Sequence, residues 1–209
     1  AHKNREHINK LVKEGATEVP SYKEFFEKNI SCLMMCVTNT PIAIKIAEEL
    51  TSLIKDDLLI IDLTTHDKYG TSKMKNIFNS PKIKYTVNPV MGGPVQAEEG
   101  ILGGIWGGES KDFEESKLYL KSFCKNVFNF GSVEKAAQAK LLSNFLSLLT
   151  TTTVIEFFRS AKKLDIDINL LCEVAKLGSG NSGALNRIAD KALQDDFKGY
   201  VFSVNNTLK

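Results

Sequence analysis

Long apolar runs are scarce in this chain: the stretch 30–37, "ISCLMMCV", is among the longest. It falls far short of the roughly 20 residues that a membrane-spanning helix needs, so no membrane partner is expected. An excess of one charge is missing too. With 27 Lys+Arg against 25 Asp+Glu the formal net charge is +2, and the basic residues are scattered, which argues against a nucleic-acid partner. Four cysteines, Cys32, Cys36, Cys124 and Cys172, lie in apolar stretches without C-x-x-C spacing or a nearby histidine, which argues against a zinc or disulfide framework. They are expected to be buried thiols of a reducing, cytoplasmic compartment, and no metal is expected. The opening "AHKNREHINK" has no apolar segment, so no signal peptide is visible.

What the chain does have is alternation. "ISCLMMCV" (30–37), "LLIIDL" (58–63) and "IKYTV" (83–87) read as strands, buried on both faces where the run is continuous. Between the first two, "PIAIKIAEELTSLI" begins with Pro41 after Thr38, Asn39 and Thr40, which marks a helix start. Strand and helix in alternation imply a parallel sheet, whose ligands sit outside the carboxyl ends of the strands. After Gly100 a further strand pair, "ILGGIWGG" and "NVFNFG", flanks a helix expected over 111–123. From 133 to 163 there is neither Gly nor Pro, and apolar residues fall on nearly every face, the pattern of a helix buried among others. Its "TTTT" (150–153) is a β-branched run that weakens it locally. Helix patterns at 168–177 and about 184–195 follow. The expected organisation is therefore an α/β domain over 1–130 and an all-α domain over 131–209.

Within the long helix Lys140 and Asn144 are four apart, hence on one face. An ammonium desolvated there has a lowered pKa, which suits it to pass a proton at neutral pH, and an adjacent amide can orient it or the substrate. "DLTTHD" (62–67) ends a strand with two hydroxyls, Thr64 and Thr65, which either meet a ligand or cap the next helix. "NPVMGGP" (88–94) holds the equivalent place after the next strand. There Gly92 and Gly93 bare the backbone N–H groups to an anion, or simply make a turn. His66 is a weaker acid/base candidate, read as solvated or structural. "GSGNSG" (178–183) lacks the Lys-Ser/Thr and the preceding strand of a phosphate loop and is expected to be a helix terminus.

In order along the chain, "NR" (4–5), "DLTT" (62–65), "PVMGGPVQAEEGIL" (89–102), "GSVEKAAQAKLLSN" (131–144), "GSGNS" (178–182) and "NNTLK" (205–209) resemble the β-hydroxyacid dehydrogenase family, which includes 3-hydroxyisobutyrate dehydrogenase, tartronate semialdehyde reductase and glyoxylate reductase. The resemblance implies a Rossmann-type domain followed by an all-α domain, with the active site in the cleft between them and a homodimer or homotetramer built through the α-domain. It implies that Lys140 is catalytic with Asn144 as companion, and that Thr64, Gly92 and Gly93 bind the substrate carboxylate. Cys36, Val37 and Thr65 would line the nicotinamide, and Lys209 would lie near the cofactor. Asn4 and Arg5 would favour NADP over NAD through the 2′-phosphate.

Several positions depart from the pattern. The family's G-x-G-x-x-G, which holds the cofactor pyrophosphate on a helix N-terminus, is absent, so the sequence is expected to lack both ends of a longer protein. Met91 stands where the family has Ser, at the substrate site; Lys68 replaces Pro, Glu134 and Ala136 replace Gly, and Asn205 replaces Asp. A 6-phosphogluconate dehydrogenase would show Lys-x-x-His-Asn, whereas Ser143 replaces the His in "KLLSN". Imine reductases lose the lysine, which is kept here, although they tolerate changes such as Met91. A non-catalytic dinucleotide-fold binding or oligomerisation module is the remaining alternative. The expected activity is that of an NAD(P)-dependent oxidoreductase interconverting a small hydroxy acid and its oxo acid or semialdehyde.

Overall fold

The computed structural model describes residues 5–192, with side chains to 189. The chain divides into two compact units, Ala1–Leu141 and Leu142–Lys209. The first begins with α1 (Arg5–Lys13) and α2 (Tyr22–Phe26), and then alternates β1 (Cys32–Met35), α3 (Thr40–Thr51), β2 (Leu58–Asp62), α4 (Lys68–Ile77) and β3 (Ile83–Val87). The three strands form a parallel sheet in the order β1-β2-β3, with Met35 beside Asp62 and Asp62 beside Val87. All five residues of β2 are buried. Leu58 and Ile60 pack on one face with Ala43 and Ala47 of α3 and Met74 of α4, while Leu59 and Ile61 pack on the other with Trp106 and Leu120. Successive side chains of a strand point to opposite faces, so only an unbroken apolar run can fill both. Each such side chain contributes roughly 1.5–3 kcal/mol on burial.

The chain continues through β4 (Val90–Met91), α5 (Pro94–Glu98), β5 (Leu102–Trp106), α6 (Phe113–Leu120) and β6 (Cys124–Asn129). A second sheet has the order β4-β5-β6, antiparallel at β4/β5 and parallel at β5/β6. It meets β3 through a reciprocal backbone pair between Val87 and Gly107. A 3₁₀ turn, Ser110–Asp112, occupies the first residues of the helix expected from 111. A Cβ at Gly107 would lie 2.5 Å from Ser132 O and 2.6 Å from Ala136 Cβ, so a glycine is what lets the next helix approach the sheet.

That helix, α7 (Val133–Lys163), runs without interruption for 31 residues. Thr150, Thr152 and Thr153 donate their hydroxyls to the carbonyls of Leu146, Leu148 and Leu149, which satisfies these three inside the helix without breaking it. In the first unit Val133 and Ala136 pack with Val87 and Ile105. In the second unit Val154 packs with Ala184 and Leu185 of α9 (Gly183–Ala192), which follows α8 (Ile168–Leu177). The expectation that α7 is buried all round fails between these ends: Leu142, Phe145, Leu146 and Leu149 are all more than half exposed. A stretch of α7 is also long and apolar enough, by length and composition, to cross a membrane. Counting uninterrupted apolar runs passed over it because Ser143, Asn144, Ser147 and the threonines break every run. Mostly buried core helices pass the same test; of the apolar window in α7, 11 % is buried. The segment 178–183 joins α8 to α9, and Ser182 Oγ accepts from Leu185 N, so it is a helix terminus as expected.

The four thiols are free but not uniformly buried: Cys124 and Cys172 are buried, Cys32 is half-buried and Cys36 is exposed. Cys36 lies just past the end of β1, where the chain leaves the sheet and turns outward. Burial, with Glu115 nearby, pushes the Cys32 thiol up to about 11.

Candidate active site

Three loops converge at the carboxyl ends of β1, β2 and β3. Leu63 N donates to Met35 O, and Val37 N donates to Thr64 Oγ1 at 3.2 Å, so the two segments leaving β1 and β2 are tied side by side. Thr64 is buried and Thr65 exposed. Neither caps α4. That task falls to Asp67, whose Oδ1 accepts from Gly70 N at 2.7 Å.

Beneath these threonines lies a buried polar network. Asp62, fully buried, accepts from Thr64 N through Oδ1 at 2.9 Å and from the Tyr85 hydroxyl through Oδ2 at 3.1 Å. His66 Nε2 lies 2.9 Å from the same Oδ2, and His66 Nδ1 lies 3.0 Å from Thr40 Oγ1 at the start of α3. The solvated reading of His66 is thereby corrected, since it is 2 % exposed and has partners at both ring nitrogens. The Thr40 hydroxyl can donate to a neutral ring or accept from a charged one, so the network is satisfied in either state. Burial, with Asp62 beside it, raises the Tyr85 phenol well above its ordinary pKa.

A second polar cluster joins β4 to α7. Lys140 is half-buried, and its Nζ donates to Val90 O at 2.8 Å and to Met91 Sδ at 3.2 Å. Both acceptors are neutral, so no opposite charge balances desolvation, and burial lowers the Lys140 pKa. Met91 is followed by Gly92 at φ +122°, where a Cβ would be strained and would also meet Leu102 Cδ2 at 2.7 Å. Gly93 N donates to Gln96 Oε1 at 2.8 Å, so this N–H is engaged within its own turn, and an anion there would displace the amide. Asn144, half-buried, follows Lys140 by one helical turn in α7 and belongs to the second unit. Arg5 opens α1 with its guanidinium held by both oxygens of Glu18, at 2.6 and 2.9 Å. Asn4 and Lys209 lie outside the described residues.

A parallel α/β sheet with its polar loops gathered at the strand ends is the architecture of a dinucleotide fold. The sequence profile of the NAD binding domain of 6-phosphogluconate dehydrogenase matches residues 1–131. The chain belongs to this family. It is 28 % identical over 143 residues to an uncharacterised oxidoreductase of Synechocystis, covering 68 % of this chain and 49 % of that protein. It is 25 % identical over 149 residues to 2-(hydroxymethyl)glutarate dehydrogenase of Eubacterium barkeri, covering 71 % and 50 % respectively. The chain thus spans about half the length of the curated relatives it matches. Among solved structures, 3-hydroxyisobutyrate dehydrogenase from Salmonella typhimurium superposes with a TM-score of 0.80 at 19 % identity, over 94 % of this chain and 70 % of that one. The architecture is that of a Rossmann-like domain followed by a helical region, as the sequence led one to expect.

For a member of the NAD binding domain family, the residues at the strand ends are compatible with a flat ring such as the nicotinamide of a cofactor, against which they set no fixed charge. Cys36, Val37 and Thr65 are small and uncharged, and Cys36 and Thr65 are exposed. The sequence reading missed Asp62, Tyr85 and Thr40. Their signal was present in "LLIID", where an acidic residue closes an otherwise apolar parallel strand four residues before a histidine. A carboxylate in such a place needs buried partners.

Proposed function

We propose that the full-length protein is an NAD(P)-dependent oxidoreductase that interconverts a small hydroxy acid with its oxo acid or semialdehyde. The observation carrying this reading is the half-buried amine of Lys140, held by two uncharged acceptors next to the Met91-Gly92 turn in a chain of this family. When bound, the nicotinamide cofactor supplies or accepts a hydride at the carbon bearing the reacting oxygen. In the reductive direction Lys140 Nζ gives a proton to that oxygen as carbonyl becomes hydroxyl. In the oxidative direction the neutral amine takes it back. A lowered pKa brings the two protonation states of Lys140 closer together at neutral pH, which suits both directions.

In this reading Thr64 and the backbone at Gly92 and Gly93 anchor the substrate carboxylate, and Asn144 orients substrate or lysine, so that binding becomes alignment. Cys36, Val37 and Thr65 face the nicotinamide. Arg5 receives the 2′-phosphate of NADP, exchanging Glu18 for a doubly charged partner, so NADP is favoured over NAD. The protein assembles as a homodimer or homotetramer through its helical unit, which would cover the exposed residues Leu142, Phe145, Leu146 and Leu149.

Oxidation of NADPH and of NADH by the full-length protein, across small oxo acids, semialdehydes and cyclic imines, tests the reading beside Lys140→Ala. Turnover of an oxo acid or semialdehyde that disappears in the variant is the expected result. Undiminished turnover in Lys140→Ala removes the lysine from the mechanism. Turnover of imines alone assigns the protein to imine reduction instead.

A further inference from the structure

Met91 contacts Lys140 through a thioether, an acceptor with no hydrogen to donate. An ammonium has three N–H bonds in a fixed tripod, and two of them are directed here, one at Val90 O and one at Met91 Sδ. Both acceptors come from one short strand, so the direction of the third N–H is set by β4. The strand itself is firmly placed: Val90 pairs with Gly104 and Met91 with Gly103, and a Cβ at Gly103 would already touch Met91 Cβ at 3.5 Å. Met91 also packs against the cluster of Val87, Ile105, Val133 and Ala136. It is half-buried, so part of its surface remains accessible. Apart from the sulfur that Lys140 already occupies, that surface is hydrocarbon.

We infer that Met91 aims Lys140 and selects the substrate: it favours an alkyl group over a hydroxyl on the carbon next to the reacting carbonyl. The inference rests on the proposed role of Lys140 as proton donor. A substrate hydroxyl placed against the methylenes and methyl of Met91 loses its water partners and gains at most a weak sulfur acceptor, whereas a methyl group gains apolar contact. A difference of this kind changes kcat/KM by about tenfold to a hundredfold.

Two substrates isolate the effect. Methylmalonate semialdehyde and tartronate semialdehyde differ by a methyl against a hydroxyl on the carbon between aldehyde and carboxylate. The full-length wild-type protein should prefer the first by about tenfold or more in kcat/KM. Met91→Ser should cut that preference by about tenfold, because its hydroxyl offers the substrate a partner. Met91→Leu keeps the apolar volume and removes the sulfur; it should keep the preference but lower kcat by roughly fivefold for both substrates, with KM little changed, because the amine is no longer aimed. A preference unmoved in Met91→Ser, a kcat unmoved in Met91→Leu, or wild-type turnover of other oxo acids but neither semialdehyde overturns the inference. If Met91→Ser does not fold, Met91→Thr carries the same hydroxyl test. Loss of activity in Lys140→Ala together with unmoved Met91 variants leaves the proposed function standing and sinks the role of Met91. Full activity in Lys140→Ala sinks the function on which it rests.

Discussion

The two units solve the burial problem differently. In the first, β2 is buried on both faces and the polar atoms at its end are partnered in place: Asp62 by Thr64 and Tyr85, His66 by Asp62 and Thr40. In the second, large apolar side chains stand in the open. Leu142 is 68 % exposed, Leu146 67 % and Leu177 90 %. Residues 142, 145, 146 and 149 recur at the spacing of one helix face, so the exposure is a stripe and not scattered single residues. The first unit encloses both faces of its central strand, whereas the second, besides its small cluster around Val154, leaves a continuous apolar face of α7 exposed among the described residues. The buried carboxylate-imidazole pair ties the loops of the candidate site together, whereas the apolar stripe carries no chemistry by itself.

The contrast can be broken where it is sharpest. If the chemistry lies with Lys140 of the first unit, Lys140→Ala should lower kcat by about 10²–10⁴-fold while circular dichroism stays native. If the polar network of the first unit is integral to its core, Asp62→Ala should destabilise the protein by about 1–3 kcal/mol for each donor, His66 and Tyr85, left buried without its acceptor. Urea unfolding measures this, and a change below about 1 kcal/mol would show that the network is dispensable. If the stripe of the second unit is covered by a second copy, Leu146→Glu should shift the sedimentation velocity toward the monomer. An unchanged mass and a stability shift within about 0.5 kcal/mol would mean that the face is solvated.

The smallest expected effect concerns pH. Burial lowers the Lys140 pKa in the folded chain from 10.5, so between the two values the unfolded chain binds more protons, and stability rises with pH across that interval. Lys140→Met removes this rise. As pH rises toward the ordinary lysine value, the stability of the variant, read from urea unfolding, should rise less than that of the wild type; equal rises would mean that burial does not shift Lys140.

The sequence reading located the continuous apolar strands, the helix start at Pro41 and the Gly-Gly turn, because each is a local pattern with a local cause. It placed Lys140 on an apolar helix and foresaw a lowered pKa, but not the two acceptors, which lie 50 and 49 residues away in the chain. From the residues alone it gave Thr64 and Thr65 the same two alternatives, ligand or helix cap, though one faces inward to Val37 and Asp62 and the other is exposed. It took all four cysteines as buried because apolar neighbours in sequence do not guarantee apolar neighbours in space.

By itself, then, the order of residues determined the alternation of strand and helix, the uninterrupted α7 and the family, since periodicity, Gly and Pro act over a few residues. Only the tertiary structure decided that His66 is a buried partner of Asp62, that Gly93 spends its N–H on Gln96, and that Met91 holds the amine of Lys140. Hydrogen bonds and desolvation depend on which groups meet across the fold, and for a buried charge those meetings outweigh any local preference.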